Sequence, residues 1–480
     1  MKKSLQKVDP TLLVLFGSTG HLSANYLIPT LYDMDVRKLI PDDLRIVCVG
    51  RRNLDKRSFL EFVLKKSKAF KKSASKSGLK HFAKHIEYYQ GDLENPKTFS
   101  GLQQVLADFD RPKHTCYNRL YYFATAPEFF LPISRILKDY GLLVACSKHE
   151  RRVRVLIEKP FGGDLRSAHK LNQELLQHFQ EEQIYRIDHY LGKETVQNLM
   201  VVRFANSLFE PLWNAKYIEH IEISMLEKGV VGGRGEFYDN TGALKDVVQN
   251  HLLQILALSV MDEPVELKTE LIRDEKMKVL KALAPFTTAD SKNIVTGQYE
   301  GYEQEAGRKS KTETFVAMKL YLNNPRWKGV PIYIRTGKAL PRKVAEVSFH
   351  FKEPLKCLFR GCDSNILTLQ IQPEESVHVQ INSKVPGFGV ELEQINLKFG
   401  KKLNSADQPA SAYDRLLLDF IQGDQRMFIR SDEIEAAWTF IDSVSKALEK
   451  LTPAKYKQGS GGPAAADDFI KKDGRQWWTR

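Results

Sequence analysis
From Thr11 to Phe16 the chain reads TLLVLF, an unbroken apolar run ending in GSTG, and HLSANYLIPTLYDM then places Leu22, Tyr26, Leu27, Leu31 and Met34 at helical spacing. A buried strand followed by an amphipathic helix accounts for that switch of period. RIVCVGRR, IEYYQGDL, RLYYFAT and VRVLIEKPFGG repeat the strand pattern with helical stretches between them. Strands alternating with helices predict a doubly wound parallel sheet. Beyond residue 187 the period drops to two. TFVAMKLYL sets Val316, Met318, Leu320 and Leu322 on one face, and ILTLQIQP, SVHVQIN and EQINLKF repeat the alternation. Such runs predict a mainly antiparallel sheet with one face covered, and the apolar helical patterns of GALKDVVQNHLLQILAL and RSDEIEAAWTFIDSVSKAL can cover it. The expected organisation is an α/β domain over 1–187 and a larger α+β domain over 188–480, with the last 25 residues as a partly extended tail.

Composition narrows the classes. A chain of 480 residues, 42% hydrophobic and 27% charged, has globular proportions with room for two cores. Its formal charge of +13 favours an anionic partner such as nucleic acid, an acidic membrane surface or a phosphorylated small molecule. The lysine-rich stretch LKKSKAFKKSASKSGLK, 64–80, brings no stacking platform of aromatics, so it is expected to be a solvated surface rather than a nucleic-acid patch. No apolar run approaches membrane-span length, and the short run Leu12–Phe16 is followed by no cleavage site, which predicts a soluble, unexported chain without membrane partners. Cys48, Cys116, Cys146, Cys357 and Cys362 are odd in number and scattered. They are expected to be reduced cytosolic thiols, and no zinc site is expected at Cys357 and Cys362.

Three stretches carry candidate chemistry. GSTGHLS, 17–23, joins the first strand to the first helix, where glycines and unpaired amides suit a pyrophosphate, although only Gly17 and Gly20 of the usual three glycines are present. The second strand ends in Arg51 and Arg52 with no acid, which points to the 2′-phosphate of NADP rather than the free ribose of NAD. EKPFGGDL puts Lys159 at the end of the last parallel strand, beside the crevice where open α/β sheets bind ligands. RIDHYLGKE, 186–194, crowds Asp188, His189, Tyr190 and Lys193. If helical, His189 and Lys193 share a face with Gly192 leaving room for a ligand; the plain alternative is Asp188 capping a helix. In the apolar helix 242–261, His251 is a candidate general base for alcohol oxidation. Asp246 lies five residues before it, about 140° around an α-helix, which makes Asp188 the better partner for the imidazole and releases Asp246 for substrate.

RIDHYLGKE, EKPFGGDL, QNLMVVRFAN, DVVQNHLLQ, GQYEGY, TETFVAMKL and GVPIYIRTGKAL, taken in order, resemble the glucose-6-phosphate 1-dehydrogenase family. The resemblance implies a Rossmann-like domain, a cytoplasmic homodimer or homotetramer built through the second domain's sheet, and NADP-linked oxidation of glucose 6-phosphate at C1, with NAD as the open alternative and no metal. It implies His251 as the base and Asp188 as its acid partner. His189, Tyr190 and Lys193 match phosphate-binding residues, Lys159 a lysine shared by substrate and cofactor, and Glu227 and Asp246 acids that contact the sugar. Lys338 and Lys343 match a basic loop on the substrate side. Gly17, Ser18, Thr19, Gly20, His21, Leu22, Ser23 and Ala24 match the dinucleotide loop, Arg51 the 2′-phosphate arginine, and Tyr122 a tyrosine near the nicotinamide. The chain departs from the family where His21 replaces an acid, where Ala24, Asn25 and Tyr26 replace basic residues, where Ala126 precedes Pro127, and at Lys245 and Lys343. The altered first loop motivates a second class, a non-catalytic paralogue that binds sugar phosphate or a partner enzyme.

Overall fold
The computed structural model describes residues 9–110, 117–143, 153–359, 361–399, 411–449 and 451–478. They form two compact units: unit 1 is Met1–Gly162, Arg166–Gly192 and Ala410–Ser431, and unit 2 is Gly163–Leu165, Lys193–Pro409 and Asp432–Arg480. The single boundary expected after residue 187 is thus replaced by one after 192, with a late segment returning to unit 1. Polar groups fasten that segment. Arg154 Nη1 donates to the carbonyls of Phe420 and Ile421 at 3.0 and 3.1 Å, Arg37 pairs with Asp414 at 3.0 Å, and Tyr185 packs edge-on against Phe420 and Phe428.

Unit 1 holds a six-stranded sheet of β1 (Thr11–Phe16), β2 (Leu44–Gly50), β3 (Ile86–Gln90), β4 (Asn118–Phe123), β5 (Val153–Ile157) and β6 (Ile184–Arg186), in the order β3-β2-β1-β4-β5-β6. Every pairing is parallel. Every residue of β1 and β4 is buried, as expected for apolar strands covered on both faces. The order reverses direction between β1 and β4, which places a crevice at the carboxyl ends of those two strands. The first helix contains a π-helical stretch, Ser23–Leu27. Its extra residue shifts the helical phase, so Tyr26, expected on the buried face, is 51% exposed. The lysine-rich segment forms three short helices, Lys56–Lys66, Lys68–Ser73 and Lys76–Phe82, capped by Asp55, Ser67 and Ser75. Phe59, Phe70 and Phe82 face inward and the lysines of 64–80 are exposed, an ordinary solvated surface.

Unit 2 holds a nine-stranded sheet of β7 (Ile218–Leu226), β8 (Ile294–Tyr299), β9 (Phe315–Leu320), β10 (Ile332–Gly337), β11 (Val344–Phe351), β12 (Ile366–Gln372), β13 (Ser376–Lys384), β14 (Leu392–Phe399) and β15 (Ala454–Tyr456). Its order is β14-β13-β12-β11-β7-β10-β9-β8-β15. It is mainly antiparallel, with parallel pairs at β7/β10 and β8/β15. The last strand corrects the expectation of an extended tail. β15 pairs with β8, the helix Ala464–Lys471 follows, and Phe469, Ile470 and Trp477 join Tyr333 and Phe315 in a buried cluster. Glycine-rich composition concealed three large apolar anchors.

The cysteine expectation is corrected at one pair. Cys357 and Cys362 are disulfide-bonded: the turn between β11 and β12 brings their Cα atoms to 6.0 Å, within bridging range. Cys48 is a buried free thiol whose ionisation burial opposes; Cys116 and Cys146 lie outside the described residues. Among the described residues, no helix is long and apolar enough to cross a membrane.

Candidate functional site
In unit 1 the loop after β1 is built as a tight cradle. Gly17 has φ +76°, and a Cβ there would lie 2.4 Å from Ala124 O, so only glycine lets β1 approach the end of β4. The Ser18 amide and hydroxyl both donate to Val49 O at 3.0 and 2.9 Å, Gly20 N–H donates to Gly17 O, and Ser23 Oγ donates to Gly17 O at 3.0 Å. Helical structure begins at His21. Its first amides therefore lack intrahelical acceptors and offer an anion site at the mouth of the crevice. Thr19, His21 and Leu22 line this turn and Ala24 N–H closes it on Gly20 O. Arg51 and Arg52 are exposed beyond β2. The Arg52 guanidinium lies over the Phe62 ring at 5.0 Å, whereas Arg51 makes no ion pair among the described residues. These groups fit a 2′-phosphorylated dinucleotide.

The ends of β4, β5 and β6 bring a second group together. Tyr122 donates to Glu158 Oε1 at 2.6 Å, and the Tyr413 hydroxyl, from the late segment, faces the same carboxyl. Withdrawal from water pushes Glu158 up to about 7, against the opposing pull of Tyr122 and the neighbouring Lys159 ammonium. The Tyr122 and Tyr413 phenols are held far above their usual range, chiefly by burial and then by the Glu158 charge. Sequence reasoning missed Glu158 and Tyr413. Glu158 stood beside Lys159 in the quoted EKPFGGDL, whereas nothing local marked Tyr413.

RIDHYLGKE is not a helix start. It is the end of β6 followed by turns, and the helix begins later, at Glu194–Phe204, with Lys193 as its N-cap residue. Asp188 is buried; its Oδ1 accepts from the Tyr190 amide at 2.9 Å and its carbonyl from Leu191 N–H, so the side chain shapes a local turn. The shared helical face expected for His189 and Lys193 therefore does not exist. The His189 ring lies parallel to Tyr413, 2° between planes and 6.5 Å between centroids, and packs on Tyr190 at 4.6 Å. Gly192 leaves no room for a ligand either: a Cβ there would meet Ala412 O at 2.6 Å.

In unit 2, Glu227 follows β7 and Lys338 follows β10. Lys338 Nζ pairs with Glu227 Oε2 at 2.7 Å and lies 5.3 Å from the centre of the Tyr238 ring. Backbone bonds Glu227 N–H to Gly337 O and Leu340 N–H to Glu227 O hold the two turns together. His251 is buried in Leu244–Leu252, which is π-helical. Its i→i+5 bonds set residues five apart nearly above one another, roughly 50° around rather than 140°, so the angular separation of Asp246 from His251 does not hold. Tyr238 is buried, its hydroxyl has no hydrogen-bond partner among the described residues, and burial with the charges of Asp246, Glu313 and Glu227 opposes its ionisation. Sequence reasoning missed it too. Lys343 is exposed before β11 and makes no ion pair among the described residues.

The arrangement is a dinucleotide cradle and a carboxyl–phenol group in unit 1, and an acid, a lysine and a buried histidine in unit 2. The family models for the glucose-6-phosphate dehydrogenase NAD binding domain and C-terminal domain match residues 14–198 and 200–478. The chain is 39% identical over 484 residues to glucose-6-phosphate 1-dehydrogenase of Borreliella burgdorferi, covering 98% of each chain. It is 38% identical over 489 residues to that of Bacillus subtilis, covering 97% of this chain and 98% of the relative. A solved glucose-6-phosphate dehydrogenase in complex with its substrate glucose-6-phosphate superposes with TM-score 0.91 at 31% identity, over 99% of this chain and 100% of that one.

Proposed function
The chain belongs to the glucose-6-phosphate dehydrogenase family, and from that premise we propose that it oxidises glucose 6-phosphate at C1 to 6-phosphoglucono-1,5-lactone, the entry step of the pentose phosphate pathway. When bound, NADP supplies the hydride acceptor; NAD is the alternative acceptor. The observation that carries this reading is the full-length match with the candidate acid, base and cationic residues all present.

His251 takes the proton of the C1 hydroxyl, a contribution of typically 10²–10⁴-fold. Asp188, its carboxylate oriented by the Tyr190 amide, stabilises the imidazolium. With the helical angle no longer separating Asp246 from His251, this assignment is supported by the family resemblance alone. His189, Tyr190 and Lys193 hold the phosphate, and Glu227, Asp246 and Lys338 hold the sugar, with Lys343 as the exposed cation of the loop. Lys159 sits between substrate and cofactor. Gly17 to Ala24 and Arg51 bind the dinucleotide, and Tyr122 positions Glu158 beside it. The working form is a cytoplasmic homodimer or homotetramer assembled through the nine-stranded sheet.

Purified protein is mixed with glucose 6-phosphate and either NADP or NAD, and reduced nicotinamide is followed by absorbance. No signal with either acceptor refutes the activity. His251→Asn should lower kcat by about 10²–10⁴-fold while sparing substrate binding; a loss under tenfold places the base elsewhere.

A further inference from the structure
On one face of the nine-stranded sheet, β7 and β11 bury ionisable groups side by side. His220 pairs with His350 across the two strands, and Glu222 with Ser348. His220, Glu222 and His350 are 6%, 2% and 8% exposed. They sit near the start of β7, roughly 20 Å along the strand from Glu227 at its far end, so this cluster is separate from the Glu227–Lys338 pair. Glu222 Oε1 lies 3.2 Å from His220 Nε2 and 3.2 Å from His350 Nε2. The imidazole centroids are 3.9 Å apart with 16° between planes. His220 Nε2 meets Glu222 Oε1 in hydrogen-bond geometry, whereas His350 Nε2, at the same distance, does not, so one carboxylate oxygen faces two ring nitrogens and a proton satisfies only one of them.

We propose that His220 Nε2, His350 Nε2 and Glu222 Oε1 form a site for a divalent transition cation of the Zn²⁺ class, and that the bound ion fastens the C-terminal segment to the sheet. The three ligand atoms lie within 4.8 Å of one another. Tetrahedral bonds of about 2.0–2.2 Å hold neighbouring ligand atoms roughly 3.4 Å apart, close to the two N···O separations, and three protein ligands leave the fourth position to water.

The surroundings supply what such ligands need behind them. His220 Nδ1 is hydrogen-bonded to Glu219, which orients the ring and directs the Nε2 lone pair to the cluster. Glu222 Oε2 accepts from the Trp478 amide at 2.9 Å, leaving Oε1 to the histidines. Arg475 Nε donates to Glu219 Oε1 at 3.0 Å, and Arg335 donates to Ser224 Oγ and the Trp478 carbonyl at 2.8 and 3.1 Å. Trp478 also meets His350 edge-on at 5.9 Å. Two of the groups behind the ligands, Arg475 on Glu219 and the Trp478 amide on Glu222, thus belong to the C-terminal segment.

The full-length protein is stripped with chelator and titrated with Zn²⁺ by calorimetry, and with Co²⁺ by the visible absorption of its tetrahedral complexes. One equivalent should bind. His350→Gln should abolish that binding, Glu219→Gln should weaken it about 10–100-fold, and His81→Gln should leave it unchanged. The last is a control for a further histidine cluster, Asp35, His81 and His85, which lies wholly in unit 1. Hydrogen exchange of the peptide covering 473–478 should slow on Zn²⁺ addition in the parent and not in His350→Gln. No stoichiometric binding, equal binding by His350→Gln, or loss in His81→Gln overturns the site. If His350→Gln does not fold, Glu219→Gln decides: unchanged affinity in that variant overturns it. Binding without slower exchange at 473–478 overturns the fastening.

Discussion

Glu158→Gln tests whether the Tyr122–Glu158–Tyr413 group keeps a proton at neutral pH. The carboxyl ordinarily titrates near 4.5 and in the folded chain is pushed up to about 7, first by burial. Below about pH 4.5 it is protonated in both folded and unfolded chains and adds no pH dependence. As pH rises towards 7 the unfolded chain loses the proton first, so folding stability falls, and the loss levels off once the folded group has also ionised. A displacement of this size corresponds to roughly 3 kcal/mol at full ionisation, of which some 2 kcal/mol develops between about pH 5 and pH 8. Glutamine cannot ionise and its carbonyl still accepts one phenol. The stability of Glu158→Gln relative to the parent should therefore rise by about 2 kcal/mol from pH 5 to pH 8. The assay is urea unfolding of the full chain, read by pulsed hydrogen exchange in peptides covering 118–123 and 153–157. Equal pH dependence in variant and parent would refute a proton held at Glu158.

Gly192→Ala drives a methyl to 2.6 Å from Ala412 O, so the unfolding free energy should fall by about 1–3 kcal/mol in urea titrations; unchanged stability would mean the 412–422 helix yields. Arg51→Ala should raise KM for NADP by tenfold or more and leave KM for NAD within about twofold, as expected for loss of a charge-assisted bond to a 2′-phosphate; steady-state kinetics with both acceptors decides. Tyr238→Phe removes a buried hydroxyl without a described partner, so thermal stability should not fall, whereas KM for glucose 6-phosphate should rise if that hydroxyl meets the sugar; calorimetry and kinetics on the same preparation separate the two.

β1, β2, β4 and β5 were legible because each carries an apolar stretch that is buried in the sheet, and β3, IEYYQ, was legible from its paired tyrosines although most of it is only half-buried. β6 was not, since Ile184–Arg186 spans only three residues and its burial comes from packing beside β5. The loop glycines and the arginines ending β2 stand out locally in the sequence, whereas the contact that requires Gly17, with Ala124 O, comes from a strand more than a hundred residues on. Two helical inferences failed for one reason. Tyr26 and the Asp246–His251 pair were placed with a 3.6-residue turn, and both fall where the chain forms π-helix, a hydrogen-bond register that leaves no composition signature. Tyr413 reaches Glu158 from 255 residues away in the chain, a meeting that no spacing encodes. At Gly192 an absent side chain looks the same in the sequence whether a substrate or, as here, a backbone carbonyl fills the gap.

The return of Ala410–Ser431 to unit 1 also orders the protein's birth. During synthesis the first 192 residues emerge with all six parallel strands, yet the groups that seal their far edge are still untranslated. Arg186 awaits its backbone bridge to Ile429, Arg154 awaits the carbonyls of Phe420 and Ile421, and Glu158 awaits the Tyr413 phenol. At about 5–20 residues per second, the ribosome needs some ten to fifty seconds to deliver them. The nascent sheet spends that interval unfinished, exposed to whatever holdase or protease reaches it first.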